Sequence, residues 1–306
     1  MGILLAMEGA VSQGVLWGIM TMGVFITFKV LDFPDMTVDG SFALGGSVSA
    51  VLIVGGMNPL LSLGAAFLAG GLSGIVTGLL HTKLKIPGIL AGILSMIALY
   101  SINIRVMGRA NTPLLGITTL LSQIEGLFGM NKTAASLAAG LVFSAVITAA
   151  LYWFFGTELG GAVRATGDNE KMIRALGVDT DRMKIAGLLL ADALVALSGA
   201  LVAQSQGYAD VGMGTGTIVI GLASIIIGEV FFGWARSFWV KLLACVFGSV
   251  VYRIIIAIVL QLGLKSTDLK LLTAVIVAIA LSIPVVRQRY AKPAPLTPEE
   301  EGGTHD

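Results

Sequence analysis

Residues 185–204 read Ile-Ala-Gly-Leu-Leu-Leu-Ala-Asp-Ala-Leu-Val-Ala-Leu-Ser-Gly-Ala-Leu-Val-Ala-Gln, with Asp192 the one charged side chain. At 1.5 Å per residue such a run covers about 30 Å as a helix, the thickness of the hydrocarbon core of a bilayer. It therefore reads as a membrane-crossing helix. Composition extends that reading to the whole chain: 56% of the 306 residues are hydrophobic, 12% are charged and mean hydropathy is +0.93. Soluble domains run near ~45–50% and ~25% for the first two quantities. Most of the chain, rather than one anchor, must lie in hydrocarbon.

Comparable runs occupy residues 10–29, 38–56, 59–80, 87–105, 132–155, 217–232, 238–260 and 269–286. The expected fold is an all-α polytopic membrane protein with eight to nine transmembrane helices. The count turns on residues 30–40, a polar stretch around Pro34 inside apolar sequence, followed by Gly40, Gly45 and Gly46. These residues break or loosen a helix, so a broken or re-entrant segment is expected near the N-terminus. No Lys or Arg precedes Lys29, and the first run reads as a retained span rather than a cleaved signal peptide.

Short basic loops stay on the cytoplasmic side. The segment His81-Thr-Lys-Leu-Lys85, residues 156–184, the turn at Arg236 and the tail with Arg287, Arg289 and Lys292 carry such charge. Counted back from a cytoplasmic tail, all four fall on one side. Residues 105–132 then face outside, where Leu114, Ile117, Leu120, Leu121, Ile124 and Leu127 recur at helical spacing within 113–128. That pattern predicts an amphipathic helix lying on the outer surface. Residues 1–290 form one transmembrane domain, and 291–306, rich in Pro and Glu, read as a disordered cytoplasmic tail.

Charge concentrates between 156 and 184: Glu158, Arg164, Asp168, Glu170, Lys171, Arg174, Asp179, Asp181, Arg182 and Lys184. Asp168 or Asn169 supplies an N-cap, Glu170 favours the positive end of a helix dipole and Gly177 supplies a C-terminal stop. Met172, Ile173 and Leu176 then share one side of a two-turn helix, an apolar face suited to docking another protein. Asp179 or Thr180 caps the next span.

Each charge at the bilayer centre costs about 2.5–3.5 kcal/mol on insertion scales and so should face protein or a water-filled path. The candidates are Lys29, Asp32, Asp35 and Asp39 with the adjacent Ser41, then Asp192, which accepts hydrogen bonds or faces the path. Gln204, Gln206, Tyr208 and Asp210 lead into 212–216, read either as a contact for solute or binding protein or as a flexible outer loop. Glu229 reads as a solvated or capping residue near the cytoplasmic end. Gly70, Gly74 and Gly78 form a small-residue stripe for close helix packing within the subunit.

Several classes are excluded or disfavoured. The net charge is +1, which gives no electrostatic case for nucleic acid. Cys245 stands alone, and His81 and His305 match no zinc spacing, so no metal is expected. No G-x-x-x-x-G-K-[ST] occurs, so the chain lacks a Walker loop for nucleotide hydrolysis. It reads as a non-enzyme with no catalytic residue and no cofactor.

The string Arg164-Ala-Thr-Gly-Asp-Asn-Glu-Lys-Met-Ile-Arg-Ala-Leu-Gly-Val-Asp-Thr-Asp-Arg182 resembles the cytoplasmic coupling loop of permease subunits of ATP-binding-cassette (ABC) importers, specifically the branched-chain amino acid and ribose permease family. Residues 35–46, Asp-Met-Thr-Val-Asp-Gly-Ser-Phe-Ala-Leu-Gly-Gly, resemble the family's broken early helix, in wording closest to a subgroup associated with aromatic amino acid (tryptophan or tyrosine) import. The resemblance implies a permease of the bacterial cytoplasmic membrane and a translocation pathway containing Asp35, Asp39, Ser41, Asp192 and Gln204. It implies an ATPase-coupling segment containing Arg164, Asp168, Glu170, Lys171, Met172, Ile173, Leu176 and Gly177. It also implies a cytoplasmic ABC ATPase, an extracytoplasmic substrate-binding protein and a second permease subunit, a homodimer being favoured. Two other readings of the residues stay open: an ion- or proton-coupled secondary transporter using Asp39 and Asp192, and a membrane scaffold recruiting a cytosolic protein through the charged loop.

Overall fold

The computed structural model describes residues 2–233 and 237–262, together with 271, 273–275, 277–279 and 282, which are helical. The turn at Arg236, most of the run 269–286, the basic residues 287–292 and the tail lie outside the described residues. The described residues are mostly helical, and among them six helices are long and apolar enough to cross a membrane.

Helix α1 (Gly2–Phe25) continues into a π-helical turn at Ile26–Val30 and is buried along most of its length. After an irregular stretch come α2 (Val38–Val54), α3 (Pro59–Thr82) and α4 (Gly88–Met107). The strand β1 (Asn111–Pro113) precedes α5 (Leu120–Phe128) and the long α6 (Lys132–Phe155). Then follow α7 (Glu158–Asp168), α8 (Glu170–Ala175), α9 (Thr180–Gln206), β2 (Tyr208–Asp210), α10 (Thr217–Phe232) and α11 (Phe238–Gln261). α2 and α10 are apolar but shorter than a full span.

The core is built on α9, which packs against α1, α2 and α3. Glycines set these seams. A β-carbon at Gly70 or Gly74 of α3 would run into the Asp192 or Leu188 carbonyl of α9, and one at Gly45 of α2 into the Ala196 carbonyl. The stripe Gly70, Gly74, Gly78 thus serves packing inside this chain, where dispersion between closely approached backbones replaces the hydrophobic drive that lipid removes. Hydroxyl pairs fasten α3 to its other neighbours, α2 and α4: Thr37 Oγ1 to Thr77 Oγ1 at 2.8 Å, Ser41 Oγ to Ser73 Oγ at 2.9 Å, and Thr77 Oγ1 to Ser95 Oγ at 2.7 Å.

The stretch after the π-turn reverses the chain without a regular loop. Asp32 adopts φ +50°, and the backbone then climbs along α4, with Phe33 beside Gly88, Met36 beside Gly92 and Gly40 beside Met96 and Leu99. Helix α2 therefore starts between the levels of Gly92 and Met96, about 6–12 Å in from the start of α4 at 1.5 Å per residue.

At the other end of the bundle the expected surface helix over 113–128 is shortened to α5. Residues 111–113 pair antiparallel with β2, matching Asn111 with Asp210 and Pro113 with Tyr208. Gly116 then turns the chain at φ +79°. The helix starts only where Thr119 and Ser122 form a reciprocal capping box, which satisfies two otherwise orphan N–H groups.

The seam geometry makes a direct prediction. Gly74→Val should force α3 off α9, an overpacking cost of about 1–3 kcal/mol or more. Gly64→Val, on the same helix with no atom within 4 Å of the new β-carbon, should be tolerated. Thermal unfolding and monodisperse yield in detergent distinguish them: Gly74→Val loses both and Gly64→Val keeps both.

Candidate functional site

Helix α10 begins inside the bundle. Its N-cap is Gly216, at φ +84° and without a side chain to offer. Four N–H groups at a helix start need partners, and in a membrane domain water does not reliably supply them. Asp39, in the first turn of α2, does so from another helix. Its Oδ2 accepts from the Gly216 N–H at 2.8 Å, and its Oδ1 accepts from the Ile218 N–H at 3.0 Å and the Thr217 hydroxyl at 2.8 Å. The positive end of the α10 dipole adds to the attraction. Gly214 lies so close that a β-carbon would strike the Asp39 carbonyl. Residues 212–216, for which a flexible outer loop was one reading, are tied to α2 through these bonds, with Gly214 buried and Gly212 and Thr215 exposed.

Beside this cap lies a cavity of about 430 Å³. Asp39, Gly40 and Ala43 of α2, Met96, Ile97, Tyr100, Ser101 and Asn103 of α4, and Val211 and Thr215 line it. Asn103 donates to the Gly40 carbonyl at 3.3 Å, while its own Oδ1 is buried without a partner among the described residues. Tyr100 is 57% exposed, so the cavity opens on a face of the chain. An apolar wall with a few convergent polar groups is the usual character of a small-molecule site. Sequence reasoning named Asp39 but missed Tyr100, Ser101, Asn103 and Thr215. The available signal was the pair Ser101 and Asn103 interrupting the apolar run 87–105.

The other residues proposed for the pathway are not brought to this cavity. Gln204 is buried, its Oε1 accepts from the Leu120 N–H at 2.9 Å and its Nε2 donates to Ser49 Oγ at 3.1 Å, so its amide ties α9 to α5 and α2. Ser41 is turned to Ser73. Asp35 is fully buried, with one oxygen accepting from the Thr37 N–H at 2.9 Å and the other unpartnered among the described residues. Asp192 is also fully buried, and neither of its oxygens has a hydrogen-bond partner among the described residues. It sits beside Ser41 and within electrostatic reach of Asp35. Of the early charged cluster, Lys29 pairs with Glu229 at 3.0 Å and Asp32 is exposed at the bundle end.

That same end carries the charged segment. Its second helix, α8, matches the expected one: Asn169 is the N-cap, accepting from the Met172 N–H at 3.0 Å, and Gly177 follows the helix at φ +87°. The eleven-residue α7 before it was not anticipated, because Gly160, Gly161 and Gly167 argue against helix by propensity. Thr157 caps it, and Gly160 and Gly167 are the residues that let its backbone press on Phe154 and Val30. Glu170 accepts from Lys184 at 2.8 Å and from Arg174 at 3.0 Å, and Lys85 reaches Asp181 at 3.5 Å. The Lys184 hydrogen bond, foremost, holds the Glu170 carboxyl below its ordinary range. Arg164 lies over the Phe238 ring at 5.0 Å.

The three apolar residues of α8 do not share one face. Met172 is 51% and Leu176 72% exposed, whereas Ile173 is 7% exposed and turned inward. With α8 laid on the bundle, the residue between the outward pair points at the chain's own helices. Asp168, Lys171 and Gly177 are exposed beside Met172 and Leu176.

Comparison with known proteins covers nearly the whole chain. The family described as branched-chain amino acid transport system / permease component matches residues 6–283. A tyrosine transport system permease protein of Clostridioides difficile (strain R20291) is 41% identical over 274 residues, 89% of this chain and 90% of that protein. A ribose import permease protein of Escherichia coli (strain K12) is 27% identical over 179 residues, 58% and 55% of the two chains. A branched-chain amino acid transport permease protein, named as probable, of Methanocaldococcus jannaschii is 25% identical over 213 residues, 65% and 66%. No solved structure matches. With six long apolar helices among the described residues and a match along almost its full length, the chain belongs to the branched-chain amino acid transport system permease family and is a multi-pass transport subunit of the cytoplasmic membrane.

Proposed function

We propose that the chain forms one half of the translocation pathway of an ABC importer for an amino acid, with an aromatic amino acid the first to test. The observation that carries this is the cavity beside Asp39, between α2, α4 and 211–215, in a chain of this permease family. Its aromatic and hydroxyl lining suits a solute with an apolar body and polar ends. The tyrosine permease relative supports the substrate class. Two copies close the path between them, an extracytoplasmic binding protein delivers solute, and a separate cytoplasmic ATPase supplies the energy. In this reading the chain crosses the membrane eight or nine times, and the end bearing α7, α8 and Lys85 is cytoplasmic.

The ATPase docks on α7 and α8, with Met172 and Leu176 as apolar contacts and Arg164, Asp168, Glu170, Lys171 and Gly177 around them. Ile173 anchors α8 to the bundle instead of meeting the partner. A second reading, a proton-coupled carrier that works without an ATPase, has one observation in its favour: Asp192 and Asp35 present buried carboxylate oxygens that no described residue satisfies.

Uptake into proteoliposomes holding the chain, its ATPase and its binding protein decides between the two. ATP-dependent uptake of an amino acid is expected, and uptake persisting without the ATPase would favour the carrier. Tyr100→Ala should cut uptake about tenfold or more at unchanged melting temperature, since loss of a well-placed cavity contact is worth about 1.4 kcal/mol or more. Asp39→Ala should lower both uptake and stability, the latter by about 0.5–2 kcal/mol for a lost helix cap. Asp39→Asn, which keeps the acceptor, should lose less stability. The double variant Met172→Asp, Leu176→Asp should abolish ATPase co-purification without changing the melting temperature, whereas intact co-purification would refute the docking face. Because the Glu170 carboxyl is held below its ordinary range by Lys184, its contribution is complete at neutral pH and is lost as pH falls through its depressed value. Glu170→Gln should therefore flatten the acid limb of a melting-temperature profile.

A further inference from the structure

Between the docking face and the cavity stands the π-turn Ile26–Val30. Wide turns of this kind hold one residue more than an α-helix needs and occur disproportionately at functional sites. Here the turn is closed by the Leu31 N–H to the Ile26 carbonyl at 2.9 Å and the Phe33 N–H to the Thr27 carbonyl at 2.9 Å. Rewinding such a turn shifts whatever is attached to it without breaking the helix that carries it.

Two attachments are present. On one side Gly167 of α7 rests on the turn, with no room for a β-carbon against the Val30 carbonyl. On the other side Lys29 Nζ reaches Glu229 of α10 at 3.0 Å. From Glu229 the helix α10 runs unbroken to Thr217, where Asp39 and the cavity lie. α10 packs on α11 through a glycine seam, a β-carbon at Gly228 striking the Ala244 carbonyl and one at Gly248 the Ser224 carbonyl, so these two helices move together. α10 has no cap of its own and is held at its start by Asp39.

We propose that the π-turn 26–30 is the transmission element of this permease: displacement of α7 by its partner passes through the Gly167 contact to the turn, through Lys29 and Glu229 to α10, and so to the Asp39 end of the cavity. Lys29, Gly167 and Glu229 are positioning residues, since none lines the cavity. The inference rests on the importer reading above.

The Lys29–Glu229 pair is about half exposed on both sides, and pairs of that kind contribute little to stability, so its removal separates transmission from folding. In proteoliposomes with the complete transporter, Glu229→Lys should reduce uptake about tenfold, within the range of coupling between distant sites, while ATP hydrolysis and ATPase co-purification persist. More ATP is then consumed per solute imported. The swapped pair Lys29→Glu, Glu229→Lys should restore uptake and the ATP-to-solute ratio. Gly167→Ala should uncouple in the same way, and should Glu229→Lys fail to fold, Glu229→Gln gives the same reading without reversing charge. Wild-type coupling in both Glu229→Gln and Gly167→Ala, or a swap that folds and restores nothing, overturns the proposal. Wild-type vesicles that import without the ATPase overturn the importer reading itself.

Discussion

The rest of the site depends on one carboxylate capping a helix that begins inside a membrane domain. Asp39 satisfies the start of α10 with three hydrogen bonds. Without them the N–H groups at Gly216 and Ile218 would lack a side-chain partner at the helix start, where the chain offers no cap of its own. The cap joins two short apolar helices, α2 and α10, that start inside the bundle. It also holds 211–215 against α4, and so the cavity exists.

Around that joint the fold divides into two glycine-seamed sets, α9 with α2 and α3, and α10 with α11. α9 is locked to α2 and α3 by glycines whose absent β-carbons allow backbone contact, and α2 is tied to α3 by hydroxyl pairs that spend their hydrogen-bonding capacity inside the protein. α10 has no side chain of its own at the N-cap. Tight packing resists continuous deformation, so motion imposed at α7 is carried by the elements that have slack. In the proposed transmission those elements are the π-turn, pressed by Gly167, and the exposed Lys29–Glu229 pair. Asp35 and Asp192 are sealed in the fold at a cost, because one oxygen of Asp35 and both of Asp192 find no donor among the described residues.

Much of the architecture was legible from residue order because the bilayer leaves few choices. The run 132–155 coincides with α6, and 59–80 falls two residues short of α3. Caps were legible for the same local reason: Asn169, Gly177 and Asp179 act through neighbours two to four positions away. What failed was whatever depended on a distant partner. Helix α7 hid behind three glycines that make sense only against Phe154 and Val30. The surface helix over 113–128 lost its first half because β2, nearly a hundred residues later, claims 111–113. Ile173 shares its spacing with Met172 and Leu176, and only the bundle beneath α8 turns it inward.

Sequence alone determined that this chain lives in a membrane, where its long apolar helices run, where its charge concentrates and which family it resembles. Those follow from hydropathy, charge spacing and local capping, all short-range properties of the chain. Tertiary structure decided which acids have which fate. Lys29, Asp32, Asp35 and Asp39 looked like one polar cluster, yet folding sends them to a salt bridge, an exposed turn, a buried pocket and a helix cap. A carboxylate's role is set by the donors that reach it, and for Asp39 those donors lie some 180 residues away in sequence, at Gly216, Thr217 and Ile218.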